Sequence, residues 1–142
     1  MRILLDIDGV MNKAASWKTS DVFEFDLTAV KSLKKIISET NATIILTTSH
    51  KHNYTLEEWC KVFKYYGIDT DITRLPDNTS NLSRKEEIMD WISGNGEDNY
   101  VIIDDDKSLN GLNDKSKLCL TSSLIGLTPE IADNAINILK NK

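Results

Sequence analysis

The chain has 142 residues, of which 40% are hydrophobic and 27% charged, with a formal net charge of −5. These ordinary values exclude an intrinsically disordered chain and predict a single domain over 1–142. The negative charge argues against nucleic-acid binding by the overall electrostatic field, although a local contact with phosphate stays open. Cys60 and Cys119 match no metal-ligand or redox spacing, no apolar run is long enough to span a membrane, and no signal peptide opens the chain. We therefore expect a cytoplasmic protein without a membrane partner or a disulfide-linked partner.

The first candidate element is a short strand that ends in acidic residues. Residues 3–7 are mostly aliphatic and Gly9 follows shortly after, which predicts a buried strand. Asp6 and Asp8 stand two positions apart at its end. Because a buried charge is costly, these carboxylates indicate an exposed working edge, where open α/β sheets bind ligands. One carboxylate could hold a metal or attack a substrate while the other moves protons; the plain alternative is a turn with two solvated aspartates.

A loop, a helix and a second strand follow. Residues 11–26 are expected to form a loop or small flap, too short for a separate cap domain. Apolar residues at helical spacing predict a helix over 27–40, and a β-branched run predicts a buried strand over 42–46. This strand leads into the hydroxyl side chains of Thr47 and Thr48, which could bind a ligand or simply end the strand.

The middle of the chain carries two capping boxes, each opening a predicted helix. The first lies at 55–58, and a short third strand is expected within 68–75. The second box lies at 83–86, so that Arg84 and Lys85 fall in the first turn of the next helix. The residues of that helix expected to face inward are Ile88, Met89, Trp91 and Ile92.

The last third of the chain supplies a second acidic strand end. A buried strand over 100–103 is followed at once by three acids at 104–106. A fifth strand is expected over 118–120, and Thr-Pro-Glu at 128–130 predicts the start of the last helix. Strands that alternate with helices predict an α/β fold with a three-layer, doubly wound, Rossmann-like parallel sheet of about five strands.

In such a sheet, right-handed crossovers place every strand's carboxyl end on one edge. Carboxylates gathered there would repel one another unless a cation is present, and oxygen-only ligands suit Mg²⁺. Hydroxyls and a basic side chain beside them suit a phosphoryl group. His50 and His52 lack partners at zinc-ligand spacing. The residues expected at this edge are Asp6, Asp8, Thr47, Thr48, Ser49, Arg84 or Lys85, Asp104, Asp105 and Asp106.

Four segments, taken in order, resemble the motifs of the haloacid dehalogenase (HAD) phosphohydrolase superfamily. The first is Leu-Leu-Asp-Ile-Asp-Gly-Val at 4–10, and the second is the strand end Ile-Leu-Thr-Thr at 45–48. The third is a basic residue at a helix start, Arg84, with Lys85 as the second choice, and the fourth is the acidic strand end at 102–105. The four motifs extend over most of the chain, and their short gaps imply a HAD-like fold without a large cap domain.

The resemblance implies a reaction and a role for each motif. Asp6 would be the nucleophile that takes the phosphoryl group, and Asp8 would protonate the leaving oxygen and then activate water. The implied Mg²⁺ ligands are Asp6, the backbone carbonyl of Asp8, and Asp104 or Asp105. The implied phosphoryl ligands are Thr47 or Thr48 together with Arg84 or Lys85.

A closer resemblance is to the small HAD domains of Swiss army knife RNA-repair proteins. It rests on Asp-Gly-Val-Met-Asn at 8–12, Arg84 and the residues after it, the acids of 104–106, and Gly-Leu-Thr at 126–128. Such domains often carry Ser-Ser-Trp-Arg after the second strand, whereas this chain has Thr-Ser-His-Lys at 48–51. This resemblance favours a nucleic-acid end as the phosphorylated substrate.

Two classes of function remain from the sequence. The leading one is a Mg²⁺-dependent phosphatase that acts on a phosphomonoester, with a nucleic-acid end or a nucleotide among the candidates. The alternative is a non-catalytic phosphate-binding module or a receiver-like switch. A receiver carries its acceptor aspartate after the third strand, whereas Asp69 and Asp71 lie before or inside that predicted strand, which disfavours the switch.

Overall fold

The structure, a computed structural model, describes residues 1–12, 25–47, 55–75, 82–95, 99–112 and 114–140. Strands and helices alternate along the chain. The strands are β1 (Arg2–Leu5), β2 (Thr43–Leu46), β3 (Ile72–Arg74), β4 (Tyr100–Asp104) and β5 (Leu118–Leu120). The helices are α1 (Leu27–Thr40), α2 (Leu56–Tyr65), α3 (Arg84–Asn95) and α4 (Pro129–Lys140), with a 3₁₀ turn at Lys107–Gly111. The predicted flap falls mostly on residues outside the described part.

All five strands form one parallel sheet in the order β3-β2-β1-β4-β5. The predicted fold class is therefore confirmed. Leu4 of β1 pairs with Ile45 on one side and with Ile102 on the other. The central strand is thus β1. The strands β2 and β3 lie on one side of it, and β4 and β5 lie on the other. The carboxyl end of β1 is the point where strand order reverses, which is where open α/β sheets bind ligands.

Each face of the sheet has its own hydrophobic core, because successive side chains of a strand point to opposite faces. Ile3 and Leu5 belong to the larger cluster, together with buried residues of α1, α2 and α4. Leu4 belongs to the smaller cluster, together with Ile88 of α3 and Leu109 of the 3₁₀ turn. Helices therefore cover both faces, as the doubly wound prediction requires.

The two predicted capping boxes are both present. Thr55 and Glu58 exchange side-chain-to-backbone hydrogen bonds at the start of α2. At the start of α3, Glu86 N donates to the Ser83 hydroxyl and Ser83 N donates to Glu86 Oε1. The second box fixes where α3 begins, and therefore where Arg84 lies.

The prediction that Met89 faces inward is wrong. Met89 is 41% exposed, whereas Ile88 is fully buried and Trp91 and Ile92 pack partly buried against the smaller cluster. Residues 88, 91 and 92 form one stripe at helical spacing, and position 89 is turned away from it. Within the described segments, every helix is too short or too polar to cross a lipid bilayer.

Candidate active site

Asp6 is the first residue after β1 and lies at the point where the strand order reverses. Its backbone N–H donates to the carbonyl of Ile103 on β4 at 3.0 Å, so the chain is still held against the sheet. The residue is only 4% exposed. Its carboxylate is therefore buried at the carboxyl edge, one position beyond an aliphatic strand.

Two more carboxylates reach Asp6 from the neighbouring strand. Asp104 is the last residue of β4 and is fully buried, and the half-buried Asp105 follows it. Asp6, Asp104 and Asp105 each offer one carboxylate oxygen, and these oxygens lie within 4.8 Å of one another. We call these residues the acidic cluster. Such a separation suits joint coordination of one metal ion.

Arg84 supplies positive charge to this cluster. Its Nη1 lies 2.7 Å from Asp104 Oδ2 and 3.3 Å from Asp6 Oδ1, and its side chain is only 12% exposed. Burial acts to lower the pKa of Arg84, but the carboxylates of Asp104 and Asp6 outweigh it and raise the pKa. Arg84 is therefore held as a cation between two of the three acids.

Thr47 directly follows β2, just as Asp6 directly follows the neighbouring strand β1. It is fully buried, and its hydroxyl lies 3.5 Å from Asp104 Oδ2, to which it donates. Its backbone N–H donates to the carbonyl of Leu5 at 3.0 Å, which holds it beside the end of β1. The other predicted hydroxyl residues, Thr48 and Ser49, lie outside the described residues, as do His50 and His52.

Asp8 lies in a tight turn beside the acidic cluster. The Ile7 carbonyl accepts hydrogen bonds from Val10 N and Met11 N, and the half-buried Asp8 accepts from Asn12 Nδ2 at 3.5 Å. The Asp8 carboxylate is not part of the acidic cluster.

Gly9 is the residue that lets this turn approach Asp105. Its φ is +79°, a conformation that residues with a side chain rarely adopt, and a Cβ built on it would overlap the Asp105 carboxylate. The turn and the acidic cluster are therefore packed in direct contact, and Asp105 depends on the absence of a side chain at position 9.

Two of the residues considered at the sequence level are placed elsewhere. The Asp106 carboxylate accepts from Ser108 N at 2.9 Å and caps the 3₁₀ turn, so its role here is structural. The Lys85 side chain lies against Gly111, where a Cβ would be 3.1 Å from Nζ. Of the alternatives that the sequence leaves open, Arg84 rather than Lys85, and Asp104 and Asp105 rather than Asp106, therefore reach the cluster.

One residue of this edge was not predicted from the sequence. Thr121, directly after β5, is buried and its hydroxyl donates to the carbonyl of Gly9 at 2.8 Å, while its N–H donates to the Asp104 carbonyl at 2.9 Å. It thereby ties the turn of Asp8 to the ends of β4 and β5. The available signal was a hydroxyl residue at a strand end, the same signal that singled out Thr47.

The electrostatics of the cluster fit a divalent cation. Burial, and then the neighbouring Asp104 carboxylate, raise the pKa of Asp6 well above its ordinary value, while Arg84 opposes the increase. Burial likewise raises the pKa of Asp105. Arg84 thus only partly offsets the three negative charges, and the cluster offers oxygen ligands, which hard cations prefer. The cluster could therefore hold a metal ion.

The comparison with protein families agrees with this architecture. The family model described as "HAD domain in Swiss Army Knife RNA repair proteins" matches residues 2–132. No curated protein and no solved structure matches the chain. The matched range includes every strand of the sheet and the whole acidic cluster. The resemblance predicted from the motifs is confirmed, and the chain belongs to the family of HAD domains in Swiss Army Knife RNA repair proteins.

Proposed function

We propose that the protein is a Mg²⁺-dependent phosphatase that cleaves a phosphomonoester through an aspartyl-phosphate intermediate. The observation that carries this proposal is the acidic cluster, with three carboxylate oxygens within 4.8 Å and Arg84 bonded into it. Family membership supports a phosphohydrolase in general. The metal, the intermediate and the residue roles are our inference.

In the first step, a carboxylate oxygen of Asp6 attacks the phosphorus atom and the bond from phosphorus to the leaving oxygen breaks. The Asp8 carboxyl group donates its proton to that oxygen, so the product leaves as an alcohol. In the second step, Asp8 takes a proton from water as the water oxygen attacks phosphorus, which frees Asp6 and releases inorganic phosphate. The position of Asp8, next to the acidic cluster but outside it, supports this division of work.

The phosphoryl oxygens would be bound by Arg84 and Thr47. Both side chains contact Asp104 from neighbouring elements, Arg84 from α3 and Thr47 from the end of β2. A guanidinium group and a hydroxyl donate charge-assisted hydrogen bonds that fit a phosphoryl group. Thr48 and Lys85 are the alternative ligands from the sequence, and Lys85 is disfavoured by its position beside Gly111.

Mg²⁺ would be held by Asp6, the backbone carbonyl of Asp8, and Asp104 or Asp105. When bound, it would supply the positive charge that the phosphoryl group and the three acids require together. The substrate would be a phosphorylated molecule whose phosphate can reach this edge. The family description names RNA repair, which favours a nucleic-acid end as the substrate. A 3′-phosphorylated end is our choice among such substrates.

The test is release of inorganic phosphate from an aryl phosphate and from a 3′-phosphorylated oligonucleotide, measured with Mg²⁺ and with EDTA. We expect release only with Mg²⁺, and none from Asp6→Asn. The matched control is Asp69→Asn, which changes an exposed aspartate just ahead of β3 and should keep full activity. Release that persists in EDTA or in Asp6→Asn would contradict the proposal. Mg²⁺ binding without release from either substrate would favour the non-catalytic phosphate-binding alternative.

A further inference from the structure

The loop after β5 exposes two large aliphatic side chains in succession. Leu124 is 73% exposed and Ile125 is 56% exposed. Among the described residues, no other neighbouring pair of large hydrophobic side chains is exposed. Single exposed aliphatics are ordinary on a protein surface, but a local apolar patch is a common sign of a binding surface.

This pair belongs to a defined turn rather than to a loose segment. The carbonyl of Ser122 accepts hydrogen bonds from Ile125 N at 2.9 Å and from Gly126 N at 2.7 Å. Ser122 and Gly126 also form an isolated antiparallel bridge. The turn closes on itself, and its tip presents Leu124 and Ile125 to solvent.

Both ends of the turn are fastened to the loop that carries Asp8. At one end, the Thr121 hydroxyl donates to the Gly9 carbonyl at 2.8 Å. At the other end, Leu127 N donates to the Val10 carbonyl at 2.8 Å. The turn is therefore anchored to the loop of Asp8, on the same edge of the sheet as the acidic cluster.

The turn and the loop of Asp8 also approach each other closely at Gly126. Gly126 has a φ of +79°, and a Cβ on it would stand 2.8 Å from the Val10 carbonyl oxygen. No side chain separates the turn from the Asp8 loop at this point. The base of this turn is thus fixed against the loop of Asp8, and a specificity contact at its tip needs such a base.

We propose that Leu124 and Ile125 bind an apolar face, an aromatic ring or a base, in the leaving group of the phosphomonoester. This inference rests on the proposed function. With the phosphoryl group at Asp6, the leaving group must extend outward from the carboxyl edge, where the tip of this turn lies. An apolar face in the leaving group would cover the two side chains and remove them from water. A sugar or glycerol group could not do so.

The test compares kcat/KM for three esters of similar alkoxide leaving groups: benzyl phosphate, adenosine 3′-monophosphate and glycerol phosphate. In the double variant Leu124→Ser, Ile125→Ser we expect the ratio of benzyl phosphate to glycerol phosphate to fall about tenfold, mainly through KM. If kcat/KM for adenosine 3′-monophosphate, relative to glycerol phosphate, falls in parallel, the bound face is a base. If this relative kcat/KM falls for benzyl phosphate alone, the bound face is a simple ring.

Two control variants keep the outcomes distinct. Tyr65→Ser changes an 83% exposed side chain at the end of α2 and should leave the ratio unchanged. Leu124→Met with Ile125→Val keeps the tip apolar and should restore the ratio. An equal loss for all esters in the serine variant would overturn this inference while leaving the phosphatase intact. Absence of Mg²⁺-dependent release from every ester by the unmodified protein would instead overturn the proposed function, and this inference with it.

Discussion

The interior of the sheet and its carboxyl edge both contain buried residues, but these carry opposite kinds of side chain. Leu5 is fully buried in the larger core cluster, and Asp6, the next residue, is 4% exposed in the acidic cluster. Burying the leucine stabilises the fold, whereas burying the aspartate beside two other acids opposes it. The acidic edge therefore lowers the stability of the fold, and the hydrophobic interior offsets this loss. Such an arrangement is expected of a site selected for chemistry rather than for stability.

The largest effect that this comparison predicts comes from removing Arg84, the cation bonded to Asp6 and Asp104. In EDTA, Arg84→Ala should lower the free energy of unfolding by about 3–5 kcal/mol, because it leaves the buried Asp6 and Asp104 without their partner. Urea denaturation measures this change. Added Mg²⁺ should recover more stability in the variant than in the unmodified protein, and equal recovery in both would contradict the account.

A core deletion should give the opposite pattern. Leu33→Ala removes a fully buried side chain of α1 from the larger cluster and should cost about 2–5 kcal/mol. Because Leu33 lies outside the acidic cluster, phosphate release per folded molecule should stay within about twofold of the original value. Denaturant titration and a rate measured well below the unfolding midpoint separate the two quantities. A large loss in the rate of phosphate release by the folded variant would contradict the account, because it would show that the interior contributes to catalysis and not only to stability.

Metal binding should stabilise the edge specifically. At a Mg²⁺ concentration one hundred times Kd, the free energy of unfolding should rise by about 2.7 kcal/mol, the gain expected for a ligand that binds only the folded state. The rise should disappear in Asp104→Asn, which removes one carboxylate of the cluster, and persist in Asp69→Asn. Thermal unfolding with and without Mg²⁺ shows the difference. Stabilisation that survives in Asp104→Asn would place the metal elsewhere.

The smallest effect is expected at the contact between the turn and the cluster. Gly9→Ala should cost about 1–3 kcal/mol, because alanine disfavours the φ of +79° and its Cβ would displace the Asp105 carboxylate. Mg²⁺ affinity should fall at the same time, as measured by calorimetry. As a comparison, Gly94→Ala, in α3, meets no atom within 4 Å and should leave metal affinity unchanged. Equal affinities in both variants would show that Asp105 does not need its present position.

The sequence predicted the elements better than the side chains that meet at the edge. The helix over 27–40 and the strand over 118–120 agree with the structure to the residue. Apolar periodicity and caps are local signals, so they locate such elements well. The contact between Thr121 and Gly9 spans 112 residues and leaves no local trace, and it was missed.

The choice between Arg84 and Lys85 could have been predicted more firmly from helical spacing. Residues four apart lie on the same face of a helix. Arg84 precedes the buried Ile88 by four positions, and Lys85 precedes the exposed Met89 by four. With Ile88 and Met89 both predicted to face inward, this spacing does not separate the two cations, and the preference for Arg84 rests on the motif resemblance. Asp105 and Asp106 could not be separated in this way, because the chain leaves β4 without a regular period.

The most direct test of the central claim is to trap the phosphoryl group on Asp6. The variant Asp8→Asn is mixed with an aryl phosphate and Mg²⁺, quenched in acid, and analysed by peptide mass spectrometry. An aryl leaving group needs little protonation, so attack by Asp6 should proceed while hydrolysis of the aspartyl-phosphate stalls for lack of a base. We predict a phosphoryl adduct on Asp6 that accumulates in Asp8→Asn and is absent from Asp6→Asn. Phosphate release by the unmodified protein, with no adduct on Asp6 in the trapping variant, would contradict the account.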